Sequence, residues 1–202
     1  MTRVSFFIDG FNLYHSLKDF AKDCRWLNLK SLCESYLKPD EQLGDIYYFT
    51  AVATWNLEKS NKHKLYIKRL ALEGVQTIYG KFKKVSRHCN NCNKEYDTHE
   101  EKRTDVNIAL RLFSDAVQDK FDTAILVSAD SDLIPPIQAI SSLFPEKRVG
   151  IVIPLGRRAK ELKQVADFSF KMERKRLESN LLPKDYNLNG VNITAPDKWL
   201  PI

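Results

Sequence analysis

The fold follows from one stretch of sequence, Ala124-Ile125-Leu126-Val127-Ser128-Ala129-Asp130-Ser131-Asp132. Its first four residues are apolar without polar alternation, as in a central parallel strand that is covered on both faces. Two aspartates follow, and Pro135 and Pro136 then suit the first turn of a helix. The stretch therefore predicts a buried strand that leads through an acidic turn into a helix.

The same pattern recurs along the chain. Four more short runs of β-branched and aromatic residues predict strands. The five predicted strands are Val4 to Ile8, Asp45 to Val52, Val75 to Gly80, Thr123 to Ser128 and Val149 to Ile153. Stretches of helical period lie between them, and this alternation of strands and helices is typical of α/β proteins. We therefore predict an α/β fold with a mostly parallel sheet.

Two of the predicted helices carry an apolar stripe with the spacing i, i+4, i+7, i+11, and each stripe is predicted to face the sheet. The stripes are Leu13, Leu17, Phe20 and Cys24 in the first helix, and Val106, Leu110, Phe113 and Val117 in the second.

Composition limits the classes of protein to be considered. The 202 residues, 43% of them hydrophobic, suffice for one sizeable core. No apolar run is long enough for a membrane span and no signal peptide is visible, so a soluble, cytoplasmic protein is expected. A formal net charge of +6 permits a polyanionic partner. The G-x-G-x-x-G turn of dinucleotide-binding enzymes is missing after the first strand. Phe11 stands where a HAD-like phosphatase needs a second acid.

Acidic residues follow the predicted strands at the edge where parallel sheets bind ligands. Asp9 ends the first strand, Asp130 and Asp132 follow a later one, and Asp105 begins a helix. Helix capping accounts for any one of them. Their convergence instead predicts a cluster that a cation must neutralise, and an all-oxygen cluster suits Mg²⁺ or Mn²⁺. Such a site fits metal-assisted phosphoryl chemistry.

Three segments in this order resemble the three motifs of the NYN-domain family, a branch of the PIN-like nucleases. They are Phe7-Ile8-Asp9-Gly10-Phe11-Asn12-Leu13, Glu100-Glu101-Lys102-Arg103-Thr104-Asp105-Val106 and Leu126-Val127-Ser128-Ala129-Asp130-Ser131-Asp132-Leu133. The likeness runs from about residue 4 to residue 170. Ala129 and Arg103 depart from it, since glycine is frequent at both positions in similar chains.

The resemblance implies a PIN-like three-layer α/β/α sandwich, a Mg²⁺ or Mn²⁺ site and endoribonuclease activity. The acidic set that it implies is Asp9, Asp105, Asp130 and Asp132, with Asn12 and Ser128 in supporting roles. The nuclease domain would span residues 1–170 and contain an inserted Cys/His loop at about 81–101. Residues 171–202 would form a tail that packs on the domain.

The inserted loop offers two thiols and two imidazoles, Cys89, Cys92, His88 and His99, within twelve residues. One C-x-x-C spacing with nearby histidines is compatible with a structural Zn²⁺ site. His88 and Cys89 are awkward as adjacent ligands, and His63 or a partner chain is an alternative source of the fourth. An exposed loop with incidental Cys and His residues is the other interpretation.

Basic residues on the loop and on a later segment are the predicted contacts to nucleic acid. They are Lys81, Lys83, Lys84, Arg87, Arg103, Arg157 and Arg158. Phe82 and Tyr96 lie near the first group and are candidates to stack on unpaired bases.

Two functions are open at this stage. The leading hypothesis is a ribonuclease that hydrolyses phosphodiesters of single-stranded or structured RNA with a metal-activated water, since no nucleophile-base pair is evident. The alternative is a catalytically weak RNA-binding or interaction module that keeps the fold. Whether the chain forms a homo-oligomer is also left open.

Overall fold

A computed structural model describes residues 1–188 and 190–201. Its elements are, in chain order, β1 (Thr2–Asp9), α1 (Gly10–Phe20), α2 (Leu29–Glu34), β2 (Glu41–Thr50), α3 (Leu57–Leu72), β3 (Gln76–Tyr79), β4 (Lys81–His88), β5 (Glu95–Lys102), α4 (Thr104–Val117), β6 (Thr123–Val127), α5 (Ile134–Leu143), β7 (Arg148–Ile153), α6 (Leu162–Val165), β8 (Phe168–Lys171), α7 (Arg174–Glu178), β9 (Asp185–Leu188) and β10 (Val191–Thr194).

A six-stranded sheet in the order β3-β2-β1-β6-β7-β8 forms the centre of the domain. Every neighbouring pair in this sheet is parallel. The predicted α/β fold with a mostly parallel sheet is therefore confirmed. All five predicted strands belong to the sheet, and β8 is a sixth strand that the sequence pattern did not predict.

Helices cover both faces of the sheet, which gives the three layers. On β1, Phe6 and Ile8 join one core with α1, α2 and α3, whereas Phe7 joins the other core with α4 and α5. This division follows from the period of two along a strand, because neighbouring side chains point to opposite faces.

The predicted apolar stripe of α4 is wrong. Val106, Leu110 and Val117 are 59%, 64% and 59% exposed, and the helix instead buries Ile108 and Leu112 completely. The sequence of α4 has apolar residues on two sides, and helical period alone does not indicate which side meets the sheet. In α1 the prediction was better, since Leu13 and Leu17 are buried, although Phe20 is 48% exposed.

The insertion is an antiparallel hairpin of β4 and β5, separate from the central sheet. It departs directly after β3 and returns directly before α4. The base of the hairpin therefore stands beside the N-terminus of α4.

The tail adds Leu177, Leu182 and Ile193 to the core beneath α2 and α3. Trp199 packs on Trp26 with ring centroids 6.2 Å apart. Residues 189 and 202 of the predicted tail lie outside the described residues. Within the part of the chain that is described, no helix combines the length and the apolar character required to cross a bilayer.

Candidate metal centre

Asp9 is the buried end of β1, and its carboxylate is held from three sides. The backbone N–H groups of Phe11 and Asn12 donate to Oδ1 at 3.1 and 2.9 Å, so Asp9 caps α1. The hydroxyl of Ser128 donates to Oδ2 at 2.9 Å. Gly10 is required next to it, since a Cβ there would stand 2.5 Å from the carbonyl oxygen of Phe49. The turn after β1 thus fixes one carboxylate at the carboxyl edge of the sheet.

Ser128 and Asn12 tie the turn after β6 to the turn after β1. Ser128 Oγ accepts from the backbone N–H of Asp130 at 3.1 Å while it donates to Asp9. The side-chain oxygen of Asn12 accepts from the backbone N–H of Ala129 at 3.2 Å. Ser128 and Asn12 therefore hold the Asp9 carboxylate and the backbone of the turn after β6 in fixed positions.

Asp105 reaches the site from the first turn of α4. The residue before this helix, Arg103, has a φ of 80°, in the left-handed region that favours glycine. This conformation explains why glycine suits that position. Thr104 follows, and its backbone N–H and hydroxyl both donate to Glu101.

The three aspartates Asp9, Asp105 and Asp130 come together. Each offers a carboxylate oxygen, and these oxygens all lie within 4.8 Å of one another. Asp9 and Asp130 also accept hydrogen bonds as caps, so capping and clustering are both present. Asp132 is exposed and is not a member of this group; its backbone N–H donates to Asp130 at 3.0 Å.

Burial and mutual repulsion disfavour the charged form of the clustered acids. Burial raises the pKa of Asp9, and the charge of Asp130 raises it further against the hydrogen bonds that lower it. For Asp105, burial and then the charges of Asp9 and Asp130 raise the pKa to about 6. The cluster therefore carries unfavourable charge at neutral pH, which a bound cation would relieve.

The donor set fits a hard divalent cation. All three candidate ligands are carboxylates, and Mg²⁺ and Mn²⁺ prefer oxygen ligands. The three aspartates line a cleft of about 530 Å³ that is open to solvent, so substrate and water can reach them.

Five residues of the cleft lining were missed as site residues from the sequence: Phe11, His15, Asp19, Glu101 and Ala129. The charge of Glu101 contributes more to the raised pKa of Asp105 than that of Asp132 does. Glu101 belongs to the second of the three segments that resemble NYN motifs, so the sequence did indicate that it could lie near the site. His15 and Asp19 follow Phe11 at helical spacing on α1, but only the direction of that helix shows that they reach the cleft.

Of the predicted basic residues, Arg157 and Arg158 line the same cleft. Arg157 also forms an ion pair with Asp19 at 2.7 Å. On the hairpin, Lys84 pairs with Asp97, and Arg87 pairs with Glu100. Lys81 and Lys83 are exposed on β4.

The structure does not bring the four predicted zinc ligands together. His99 lies opposite Lys84 in the hairpin and stacks on Trp55, whereas His88 lies opposite Glu95 near the tip. Cys89 and Cys92 share the turn at that tip. The predicted set that includes His99 therefore requires correction, because the strand register separates this histidine from the two thiols.

With this geometry, comparison with known proteins becomes informative. Residues 3–173 match the family described as NYN domain. The chain belongs to the NYN domain family. The predicted membership of the NYN-domain family is confirmed. The family is of nuclease type.

A curated relative of this NYN domain is 6-hydroxy-3-succinoylpyridine 3-monooxygenase HspA of Pseudomonas putida, 26% identical over 190 aligned positions. The match covers 75% of this chain but only 59% of the relative, so this chain spans about three-fifths of that protein's length. A crystal structure of a protein of unknown function from Vibrio parahaemolyticus shares the fold with a TM-score of 0.56 at 16% identity. That match covers 90% of this chain and 96% of the other.

Proposed function

We propose that this NYN domain is a Mg²⁺- or Mn²⁺-dependent endoribonuclease that hydrolyses phosphodiester bonds of RNA. The observation that carries the proposal is the group of three carboxylates, from β1, α4 and the turn after β6, within 4.8 Å of one another. NYN domains generally act on RNA, and the basic net charge of the chain is compatible with that partner.

Asp9, Asp105 and Asp130 would hold the cation. When bound, it offsets negative charge on a phosphodiester and lowers the pKa of a water molecule. Arg157 and Arg158, which line the same cleft, bind phosphate oxygens and place the RNA backbone against the acids. Asn12 and Ser128 keep two of the carboxylate-bearing turns in place through the hydrogen bonds described above.

Asp130→Asn tests the proposal, because it keeps the side-chain shape and removes one negative charge. With Mn²⁺ and a labelled RNA we expect cleavage to fall by more than about 100-fold, since even outer-shell partners of a metal are typically worth 10–100-fold. Without metal the variant should melt at the parent's temperature or somewhat above it, because repulsion in the cluster is reduced. Mn²⁺ should raise the melting temperature of the parent more than that of the variant.

Asp40→Asn is the matched control, since Asp40 is exposed and directly precedes β2, at the end of the parallel sheet opposite the carboxyl edge that holds the site. It should cleave and bind Mn²⁺ like the parent. If parent and Asp130→Asn cleaved RNA equally, the assignment of the acidic site would be refuted. If the parent bound RNA but cleaved none, the module would be of the catalytically weak RNA-binding type.

The name of the Pseudomonas putida relative defines a second assay. Oxygen uptake with 6-hydroxy-3-succinoylpyridine and a reductant would reveal a shared monooxygenase activity. We expect none, because the all-carboxylate donor set suits a hard cation that acts as a Lewis acid in phosphoryl chemistry.

A further inference from the structure

The two faces of the β4–β5 hairpin differ in chemistry. Phe82 lies opposite Glu101, and Lys84 lies opposite His99, so Phe82, His99 and Glu101 share one face. Tyr96 lies opposite Arg87 on the other face. Because Glu101 lines the metal cleft, the face with Phe82 and His99 is the one turned toward the candidate site.

A series of aromatic rings runs from this face to the cleft. The imidazole of His99 stacks on the indole of Trp55, with centroids 3.6 Å apart and planes at 7°. Phe82 meets Trp55 edge-on at 4.6 Å and Phe11 edge-on at 5.3 Å. Phe11 is itself part of the cleft lining, next to Asp9. We call these four residues, Phe11, Trp55, Phe82 and His99, the aromatic platform.

The platform is more open than an anchor for the hairpin needs to be. Trp55 lies between β2 and α3 and is 47% exposed, whereas Trp26 in the core is fully buried. An indole that served only to fix the hairpin would gain most by complete burial. Half-exposed aromatic rings beside a phosphate-binding groove are the usual means by which proteins hold unpaired bases.

We propose that the aromatic platform binds unpaired bases of an RNA strand whose backbone crosses the acidic cleft, so that the substrate class is single-stranded RNA. The identity of the partner rests on the function proposed above. Arg157, Arg158 and Phe11 line the same cleft, which suits a strand with phosphates on the arginines and bases on the rings. Bases of a duplex are stacked on each other, so their faces are not available to Trp55.

Trp55→Ala in an Asp130→Asn background tests the platform with RNA that stays intact. We expect the affinity for a single-stranded 12-nucleotide RNA to fall about tenfold, since stacking on one aromatic side chain is typically worth that much. Trp55→Phe should retain most of the affinity. The matched control is Tyr96→Ala. The sequence suggested Tyr96 as a second stacking residue, but the register places it on the opposite face of the same hairpin, so its loss should leave the affinity unchanged.

An oligonucleotide of abasic ribose phosphates separates stacking from a general disturbance of the hairpin. It keeps the phosphates and offers no bases, so Trp55→Ala and its background protein should bind it equally. The intrinsic fluorescence of Trp55 should also be quenched by the single-stranded RNA, and this signal should be lost in Trp55→Phe.

Three results would overturn the proposal: equal affinity of Trp55→Ala and Tyr96→Ala for the intact strand, an equal loss for the abasic strand, or duplex RNA bound as tightly as single-stranded RNA. Failure of the proposed function is recognised separately. A parent that cleaves no RNA, together with a selective binding defect in Trp55→Ala, would refute the nuclease and support the platform.

Discussion

This chain has two candidate metal sites, the acidic cleft and the Cys/His tip of the hairpin. The fold brings the candidate ligands together in the first and keeps them apart in the second. The three acids that cluster are spread over more than a hundred residues, yet their oxygens lie within 4.8 Å. The Cys and His residues are close in sequence, yet His99 is four register positions away from His88 along the hairpin. Four positions on a strand span roughly 13 Å at about 3.4 Å per residue.

The difference shows that nearness in sequence is a poor guide to nearness in a sheet. Parallel strands bring the residues after their carboxyl ends to one edge, whatever the length of chain between them. An antiparallel hairpin sets its residues out in a row, so a side chain reaches only the opposite residue and its nearby diagonal neighbours. The acidic cleft is therefore a product of topology, whereas the hairpin tip holds only the ligands of its own turn.

The largest expected effect comes from comparing one ligand of each site. Asp105→Asn should reduce RNA cleavage by more than about 100-fold, as expected for loss of a direct metal ligand. The double substitution Cys89→Ser and Cys92→Ser should leave cleavage within about twofold of the parent, since both residues lie at the exposed tip of the hairpin. The measurement is the initial rate with Mn²⁺ and a fluorescent RNA.

Zinc analysis of the same proteins sharpens the comparison. If the tip holds a structural zinc, the parent should contain about one equivalent of zinc, and the double cysteine variant should contain none. Because the tip supplies only two thiols, the remaining zinc ligands would come from elsewhere, such as a second copy of the chain. Zinc in the parent that is unaffected by removal of the cysteines would exclude the tip. A large loss of RNA cleavage when both cysteines are replaced would show that the two regions are coupled.

The fold was predictable to the extent that it depends on uninterrupted apolar runs. Residues 124–127 predicted a central strand because a short, uninterrupted apolar run that is followed by turn residues is typical of a strand buried on both faces. β8 was missed because Phe168–Lys171 alternates and is short, with only two aromatic residues to indicate it. The wrong face of α4 was chosen because Val106 and Ile108 head two competing apolar rows, and only packing distinguishes them.

The candidate site was predictable where residues end strands or begin α4, and not where they lie farther along α1 or on the hairpin. Asp9 ends β1 and Asp130 lies three residues after β6, so their edge of the sheet was known from topology. Asp132 was included because it lies near Asp130 in sequence, but the short turn after β6 leaves it exposed. Glu101 comes from a hairpin whose register no local pattern specified.

A smaller effect on stability is expected from pH, and a bound cation should flatten or reverse it. Because the pKa of Asp105 is raised to about 6, the folded protein binds more protons than the unfolded chain between about pH 4 and 6. Without metal, stability should therefore increase as pH falls from 7 to 5, by about 2–4 °C in melting temperature after allowance for solvent screening. Differential scanning fluorimetry in a chelator measures it.

With saturating Mn²⁺ the trend should flatten or reverse, because protons compete with the cation for the carboxylates. Asp105→Asn should weaken the dependence in the chelator, and the double cysteine substitution should not. A metal-free melting temperature that rose from pH 5 to pH 7 in the parent would contradict the raised pKa of the cluster.

The smallest effect concerns backbone strain, which can be compared at matched residues of the two regions. Arg103, before the helix that carries Asp105, and Asn93, at the Cys/His tip, both have positive φ angles, of 80° and 54°. Arginine in that conformation costs roughly 1–2 kcal/mol, whereas asparagine tolerates it well. Glycine removes this cost but adds about 0.5–1 kcal/mol of unfolded-chain entropy. Arg103→Gly should therefore stabilise the protein by up to about 1 kcal/mol, or roughly 2–4 °C in melting temperature. Asn93→Gly should be neutral or slightly destabilising, partly because the side chain of Asn93 contacts His88. Equal shifts in the melting temperatures of Arg103→Gly and Asn93→Gly would mean that no strain is stored at the entry to α4. A loss of cleavage beyond about twofold in Arg103→Gly would give the guanidinium a role in binding RNA that its backbone conformation does not explain.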